Sequence, residues 1–175
     1  MGRTADRLQV EQQFEAIKAL SNTLDRHGID YWLFGGWAVD FWFGEITRAH
    51  DDIDVAAWRA DYDLIKVALL DEGWQHTPVA NEVVGTRYQW GTTQAEFTFV
   101  VADERGRVVI PFDDQPVLWS TRPFGTDRRE LRGVTTRTIP LKLLKAGKEV
   151  AREGASEAEK DRADLDALSR VGEEE

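Results

Sequence analysis

The residues best suited to chemistry lie in one stretch, FGGWAVDFWFGEITRAHDDIDVAAW, residues 34–58. An apolar run ends there in Gly35-Gly36, at the mouth of a helix-compatible segment. Glycine lets backbone amides approach an anion closely, and the positive end of a helix favours negative charge, so this turn can receive a phosphate. Beyond a polar loop comes Asp52-Ile53-Asp54. Residues i and i+2 of a strand point to one face, so both carboxylates project together while Ile53 and Val55 go to the core. Paired carboxylates repel unless a divalent cation neutralises them. An oxygen donor set suits Mg²⁺, which takes one or two carboxylates plus substrate phosphates. Each half has a plainer reading alone, Gly-Gly as a tight turn and Asp-x-Asp as surface charge or a cap. The chemical reading rests on the two together, with the polar, basic loop of Thr47, Arg48 and His50 between them.

The elements that must position these groups follow from hydrophobic periodicity. Val10, Phe14, Ile17 and Leu24 recur at helical spacing ahead of Gly28, which predicts an opening helix. YWLFG (31–35) reads as a buried strand, WAVDFWF (37–43) as a short helix and DIDVAAW (52–58) as the strand of the paired aspartates. A helix fits 61–72, with Asp61 as N-cap and Gly73 as its stop. The pattern then changes to period two: 83–91, 95–101 and 107–112 read as strands, 113–130 as loop, and LRGVTTRTI (131–139) as one more strand. Pro140 suits the start of a helix, and Ser156 with Glu159 forms a capping box for a last one. The expected fold is α+β, a small mixed β-sheet with helices packed mainly on one side. Its organisation is a single domain over 1–175, with a core at 1–139 and C-terminal helices at 140–175.

Composition limits the alternatives. A chain of 175 residues with 42% apolar residues is enough for one compact domain. It has no cysteine, which removes disulfides, thiolate metal sites and a Cys nucleophile. The 22 basic against 32 acidic residues, net −10, argue against a nucleic-acid partner, whose phosphates are neutralised by Lys and Arg. No run is long and apolar enough for a membrane span, and the N-terminus lacks a signal h-region, so a cytoplasmic location is expected. Seven tryptophans are many for this length. Packing is the default for Trp32 and Phe41, whereas Tyr88 and Trp90 alternate on one strand and are candidates to face a substrate cleft.

GGWAVDFWFGEITRAHDDID resembles the signature of the DNA-polymerase-β-like nucleotidyltransferase superfamily. It is most similar to the antibiotic-modifying branch of aminoglycoside 2''-nucleotidyltransferases and lincosamide nucleotidyltransferases. The likeness is specific over 31–58, looser to about 100 and faint beyond, apart from KDRADLDAL (160–168). It implies a nucleotidyltransferase fold in which Asp52 and Asp54 hold Mg²⁺ against a nucleoside triphosphate. A third carboxylate is implied on a neighbouring strand: Glu96 is the main candidate, with Asp103 and Glu104 as competitors. Glu96, or Asp54 through the metal, would act as base on the acceptor hydroxyl. Gly35, Gly36, Thr47, Arg48 and His50 would contact the nucleotide. Of Lys142, Lys145 and Lys148, otherwise a solvated basic face, Lys145 is singled out for its phosphates. The implied reaction transfers AMP from ATP, or another NTP's monophosphate, to a hydroxyl of a small cationic acceptor such as an aminoglycoside. Alternatives are a lincosamide, a macromolecular acceptor, or a silent nucleotide-binding member. With only two short helices after Pro140, the acceptor cleft would be built from residues 80–135 or from the second subunit of a homodimer.

Overall fold

A computed structural model describes residues 2–149 and 155–171. Five strands form the central path of a curled mixed sheet, in the order β1 (Tyr31–Phe34), β2 (Ile53–Trp58), β5 (Thr93–Ala102), β4 (Gly85–Trp90) and β3 (Gln75–Thr77). Only β2 and β5 run parallel. The far end of β5 continues into β6 (Val108–Ile110), which pairs with β7 (Val117–Ser120).

One face of the sheet carries Val55, Ala57, Tyr88, Ala95, Phe97 and Phe99, all buried. Helix α1 (Gly2–Arg26) and helix α3 (Tyr62–Asp71) supply Phe14, Ile17, Leu20, Leu24, Ile65 and Leu69 to the same core. On the other face of β1 and β2, Trp32 meets Trp58 edge to face at 5.8 Å, and Phe34 meets Trp119 at 4.9 Å. Phe124 closes the cluster against Trp32 and Trp119, and the Trp32 indole donates to the Gly125 carbonyl at 2.8 Å. These contacts draw β7 and the following loop over one end of the sheet and leave its middle open.

Helix α2 (Gly35–Phe43) follows β1 without a linker, so both glycines belong to its first turn. Gly44 ends it in the left-handed region, donating to the Asp40 carbonyl. The C-terminal helices α4 (Leu141–Glu149) and α5 (Ala155–Ser169) pack on each other and on α2. The side chain of Ser156, half of the expected capping box, lies outside the described residues.

Three expectations need correction. Residues 131–139 are not one strand: β8 (Arg128–Leu131) and β9 (Val134–Arg137) form a hairpin. Its turn, Arg132-Gly133, has positive φ at both positions, the two-residue type that matches strand twist, and an arginine there disguises it. The expected loop at 113–130 contains β7 and the start of β8. Asp61 occupies the N-cap position of α3 but makes no side-chain capping bond, because a short 3₁₀ turn, Arg59–Asp61, precedes that helix.

Candidate active site

Register assembles the acidic groups. Phe34 on β1 pairs with Asp54 on β2, Asp54 with Glu96 on β5, and Glu96 with Arg87 on β4. Paired residues share a face, so Asp54, Glu96 and Arg87 form a row on the open side. Asp52, one residue before β2, joins it: one carboxylate oxygen each from Asp52, Asp54 and Glu96 lies within 4.8 Å of the others. The Arg87 Nε donates to Glu96 Oε1 at 2.7 Å. The Asp52 carboxyl is pushed up to about 6. Burial is the first cause, followed by repulsion from Glu96 and a hydrogen bond with it, then the charge of Asp51, with Arg87 opposing. Such a set is electrostatically incomplete without a cation, and its all-oxygen chemistry fits Mg²⁺.

The glycine turn is pressed against this row. Gly35 has φ +70°, and a Cβ on it would overlap Asp54 Oδ2 and stand 3.1 Å from Asp54 Cγ. A Cβ on Gly36 would strike the His50 ring and come within 2.8 Å of an Arg48 guanidinium nitrogen. Both positions therefore require glycine for close approach, Gly35 also for its backbone angle.

The loop between α2 and β2 is held from below by Asp40, fully buried on α2. Its carboxylate accepts from the Thr47 amide and hydroxyl and bonds His50 Nε2 at 2.6 Å. Gln9 and Gln13 on α1 donate to the His50 carbonyl, and Trp37 packs on its ring at 4.8 Å. His50 Nδ1 is buried without a hydrogen-bond partner among the described residues, on the side facing Gly36. Thr47 is thus spent on bracing the loop, while Arg48 and His50 border a small polar hollow with Gly36, Asp52 and Asp54.

Cations from the C-terminal helices complete that hollow. Lys148 on α4 bonds Asp164 at 2.8 Å, and Arg48 makes two bonds to the same carboxylate, at 3.0 and 3.1 Å. Burial pushes the Asp164 carboxyl up, but the bonds from Arg48 and Lys148 outweigh it and hold it below the usual range. Lys160 on α5 reaches Asp51 at 2.6 Å and borders the same hollow. Lys145 does not border it; Lys148, one helical turn further on, takes that place. A basic residue every third position on α4 is visible in the sequence, but which one faces inward depends on how the helix docks. Asp164 and Lys160 lie in the KDRADLDAL segment, which anchors the loop through contacts that no local sequence pattern marks.

Tyr88 and Trp90 belong to the opposite face. Tyr88 pairs with Ala95, is fully buried beside Phe97 and His76, and cannot meet a substrate. Trp90 stacks on Trp74 at 5.9 Å, near α1 and away from the acids. Tyr88 and Trp90 do share one face of β4, but strand pairing with Glu96 puts Arg87, not Tyr88, on the open side. Asp103 is held in its own turn by Arg105 and Arg107 and does not join the acidic row.

Three spaces meet at Asp54. The polar hollow is one. A second, about 300 Å³, is walled by Trp119, Leu143, Leu144 and Gly147 and shares Asp54 and Lys148 with the polar hollow. The third, about 410 Å³, lies toward β4 and β6 and is the one that Glu96 borders.

Residues 16–168 match the family model of aminoglycoside-2''-adenylyltransferase. A 2''-aminoglycoside nucleotidyltransferase of Escherichia coli is 40% identical over 43 residues, which cover 25% of this chain and 24% of that protein. The match thus spans about a quarter of the curated relative. Among solved structures, the lincomycin-bound lincosamide adenylyltransferase LnuA superposes with TM-score 0.71 at 15% identity, over 93% of this chain and 98% of that one. ANT(2")-Ia in complex with adenylyl-2"-tobramycin superposes with TM-score 0.65 at 19% identity, over 90% of each chain. At these identities the structural likeness establishes a shared nucleotidyltransferase fold.

Proposed function

The chain belongs to the aminoglycoside-2''-adenylyltransferase family, and on that premise we propose that it transfers AMP from ATP to a hydroxyl of a small, amine-bearing antibiotic-type acceptor. The observation that carries this reading is the convergence of Asp52, Asp54 and Glu96 beside a glycine turn that opens a helix.

Asp52, Asp54 and Glu96 would hold Mg²⁺, which when bound neutralises charge on the triphosphate and on the leaving pyrophosphate. The first turn of α2 presents amides to the phosphates, and Arg48, Lys148 and Lys160 supply positive charge around them. The orphaned His50 Nδ1 offers one more polar contact on that side. Asp40 and Asp164 act indirectly, fixing the loop and its arginine. The nucleoside fits the space walled by Trp119 and Leu144, which is continuous with the phosphate side through Lys148. Glu96 takes the proton of the acceptor hydroxyl. That oxygen bonds to the α-phosphorus, and the bond from phosphorus to pyrophosphate breaks in line. Residues 1–139 supply the catalytic groups and α4–α5 close the phosphate side, all as one unit. The location proposed is cytoplasmic, where ATP is available.

The test is incubation of the protein with each NTP, Mg²⁺ and a panel of aminoglycosides and lincosamides, read by mass spectrometry and pyrophosphate release. A product heavier by one nucleoside monophosphate, absent without Mg²⁺, is expected. Pyrophosphate release without modified acceptor, or no release with any pair, overturns the reading.

A further inference from the structure

The place of Glu96 in the acidic row is not explained by its own strand. Asp54 is pressed against the backbone of Gly35, where a Cβ would stand 3.1 Å from the Asp54 Cγ. Asp52 and Asp54 are also aspartates, whose short arms follow the backbone closely. Glu96 has one staggered torsion more, its side chain is 33% exposed, and it opens on the space of about 410 Å³. Packing therefore leaves several wells open to it, and a carboxylate meant to meet a hydroxyl must occupy one of them. The hydrogen bond between Glu96 and Asp52 cannot select that well, because two acids repel once both are ionised.

Arg87 can. It stands directly opposite Glu96 in the pairing of β4 with β5, so the two side chains leave the same face of the sheet. Its Nε donates to Glu96 Oε1 at 2.7 Å, the short separation of a hydrogen bond between charged groups. The pair is too exposed to matter much for stability, with the Arg87 side chain 46% accessible. Its effect is on where the Glu96 carboxylate sits.

Resting on the reading of Glu96 as the base, we infer that Arg87 is a positioning residue for the transfer step. It takes no proton itself, since a guanidinium stays charged. By engaging Oε1 it holds the rotamer that presents the other oxygen, Oε2, to the acceptor hydroxyl. Releasing the two staggered torsions of Glu96, with three wells each, dilutes that rotamer roughly tenfold. The loss falls on turnover, while the fold is left as it was.

The test combines turnover with a readout that needs none. Pyrophosphate release is followed with Mg²⁺-ATP and tobramycin or lincomycin. Arg87→Met should lower kcat roughly tenfold with Tm within about 2 °C of wild type. Arg87→Lys, whose ammonium still reaches the carboxylate, should recover kcat to within about threefold of wild type. In a Glu96→Gln background Arg87→Met should change the residual rate by less than about twofold, because no base is left to place. In the protein alone, NMR reads exchange of the Arg87 Nε–H with water, expected to be roughly tenfold faster in Glu96→Ala. An Arg87→Met enzyme with more than half of wild-type kcat, a Lys variant no better than Met, an undiminished effect in Glu96→Gln, or unchanged exchange in Glu96→Ala each overturns the inference. Loss of turnover in Glu96→Gln but not in Arg87→Met overturns it while leaving the base standing. Wild-type turnover in Glu96→Gln, or no pyrophosphate release by the wild type with either acceptor, overturns the underlying reading and the inference with it.

Discussion

Replacing Gly35 by alanine perturbs two things of known size. Its φ of +70° is left-handed, which costs an L-residue about 1–2 kcal/mol. For a domain of this length that lowers Tm by about 2–8 °C. The new Cβ also overlaps the Asp54 carboxylate, which must rotate out of the acidic row. Rotation of this half-buried side chain costs the fold little and the site much, since a displacement of about 1 Å costs on the order of 10²-fold in turnover. Gly28 is an internal control: its φ is +67° and nothing stands within 4 Å of a Cβ placed there. Gly28→Ala and Gly35→Ala should therefore lose similar stability by differential scanning calorimetry, while only Gly35→Ala loses kcat, by about 10²-fold or more. Retention of more than about a third of wild-type kcat by Gly35→Ala would refute the argument that the turn sets the Asp54 carboxylate.

Further expectations follow from single contacts. Glu96→Gln should lower kcat roughly 10²–10⁴-fold in a steady-state pyrophosphate assay, and a variant near wild type would remove Glu96 as base. Tyr88→Phe deletes a buried hydroxyl with no hydrogen-bond partner among the described residues, so urea unfolding should show stability unchanged or up by about 1 kcal/mol, with activity retained. Asp164→Ala should cost about 3 kcal/mol near pH 7, because it takes away the carboxylate of Arg48 and leaves Lys148 only Asp161, 3.5 Å away. Since the folded-state Asp164 carboxyl sits below its usual range, this contribution is present above the unfolded pKa and lost as pH falls through the folded one. The stability gap between wild type and Asp164→Ala should accordingly close in acid below about pH 4, and a gap that widens there would contradict the pairing.

Local pattern carried much of this molecule. Period two on residues 52–58 placed Asp52 and Asp54 together, and the glycine pair marked the start of α2. What local pattern lacks is the choice among equivalent faces. Tyr88 and Arg87 are equally good candidates until the pairing of Arg87 with Glu96 shows which side of β4 is open. Lys145 and Lys148 differ only by a helical turn, and the docking of α4 against α5 decides between them. The Arg48–Asp164 bond joins residues 116 positions apart, and neither the polar loop of Arg48 nor the charged run around Asp164 marks the other as its partner. The β8–β9 hairpin was hidden because its turn uses Arg132 where Asn or Gly would have announced it.

The central claim is that the carboxylates of β2 and β5 hold a metal-bound nucleotide, and Asp54→Asn tests it most directly. Without ligand the variant should melt at or above the wild-type temperature, because one like charge leaves the acidic row. At Mg²⁺-ATP near 100 times Kd the wild type should gain about 2.7 kcal/mol, a Tm rise of about 5–10 °C. The variant should gain little at the same concentration, and ATP with EDTA should abolish the wild-type rise. A variant that gains as much as the wild type would contradict the claim, because Asp54 would then have no part in holding the nucleotide.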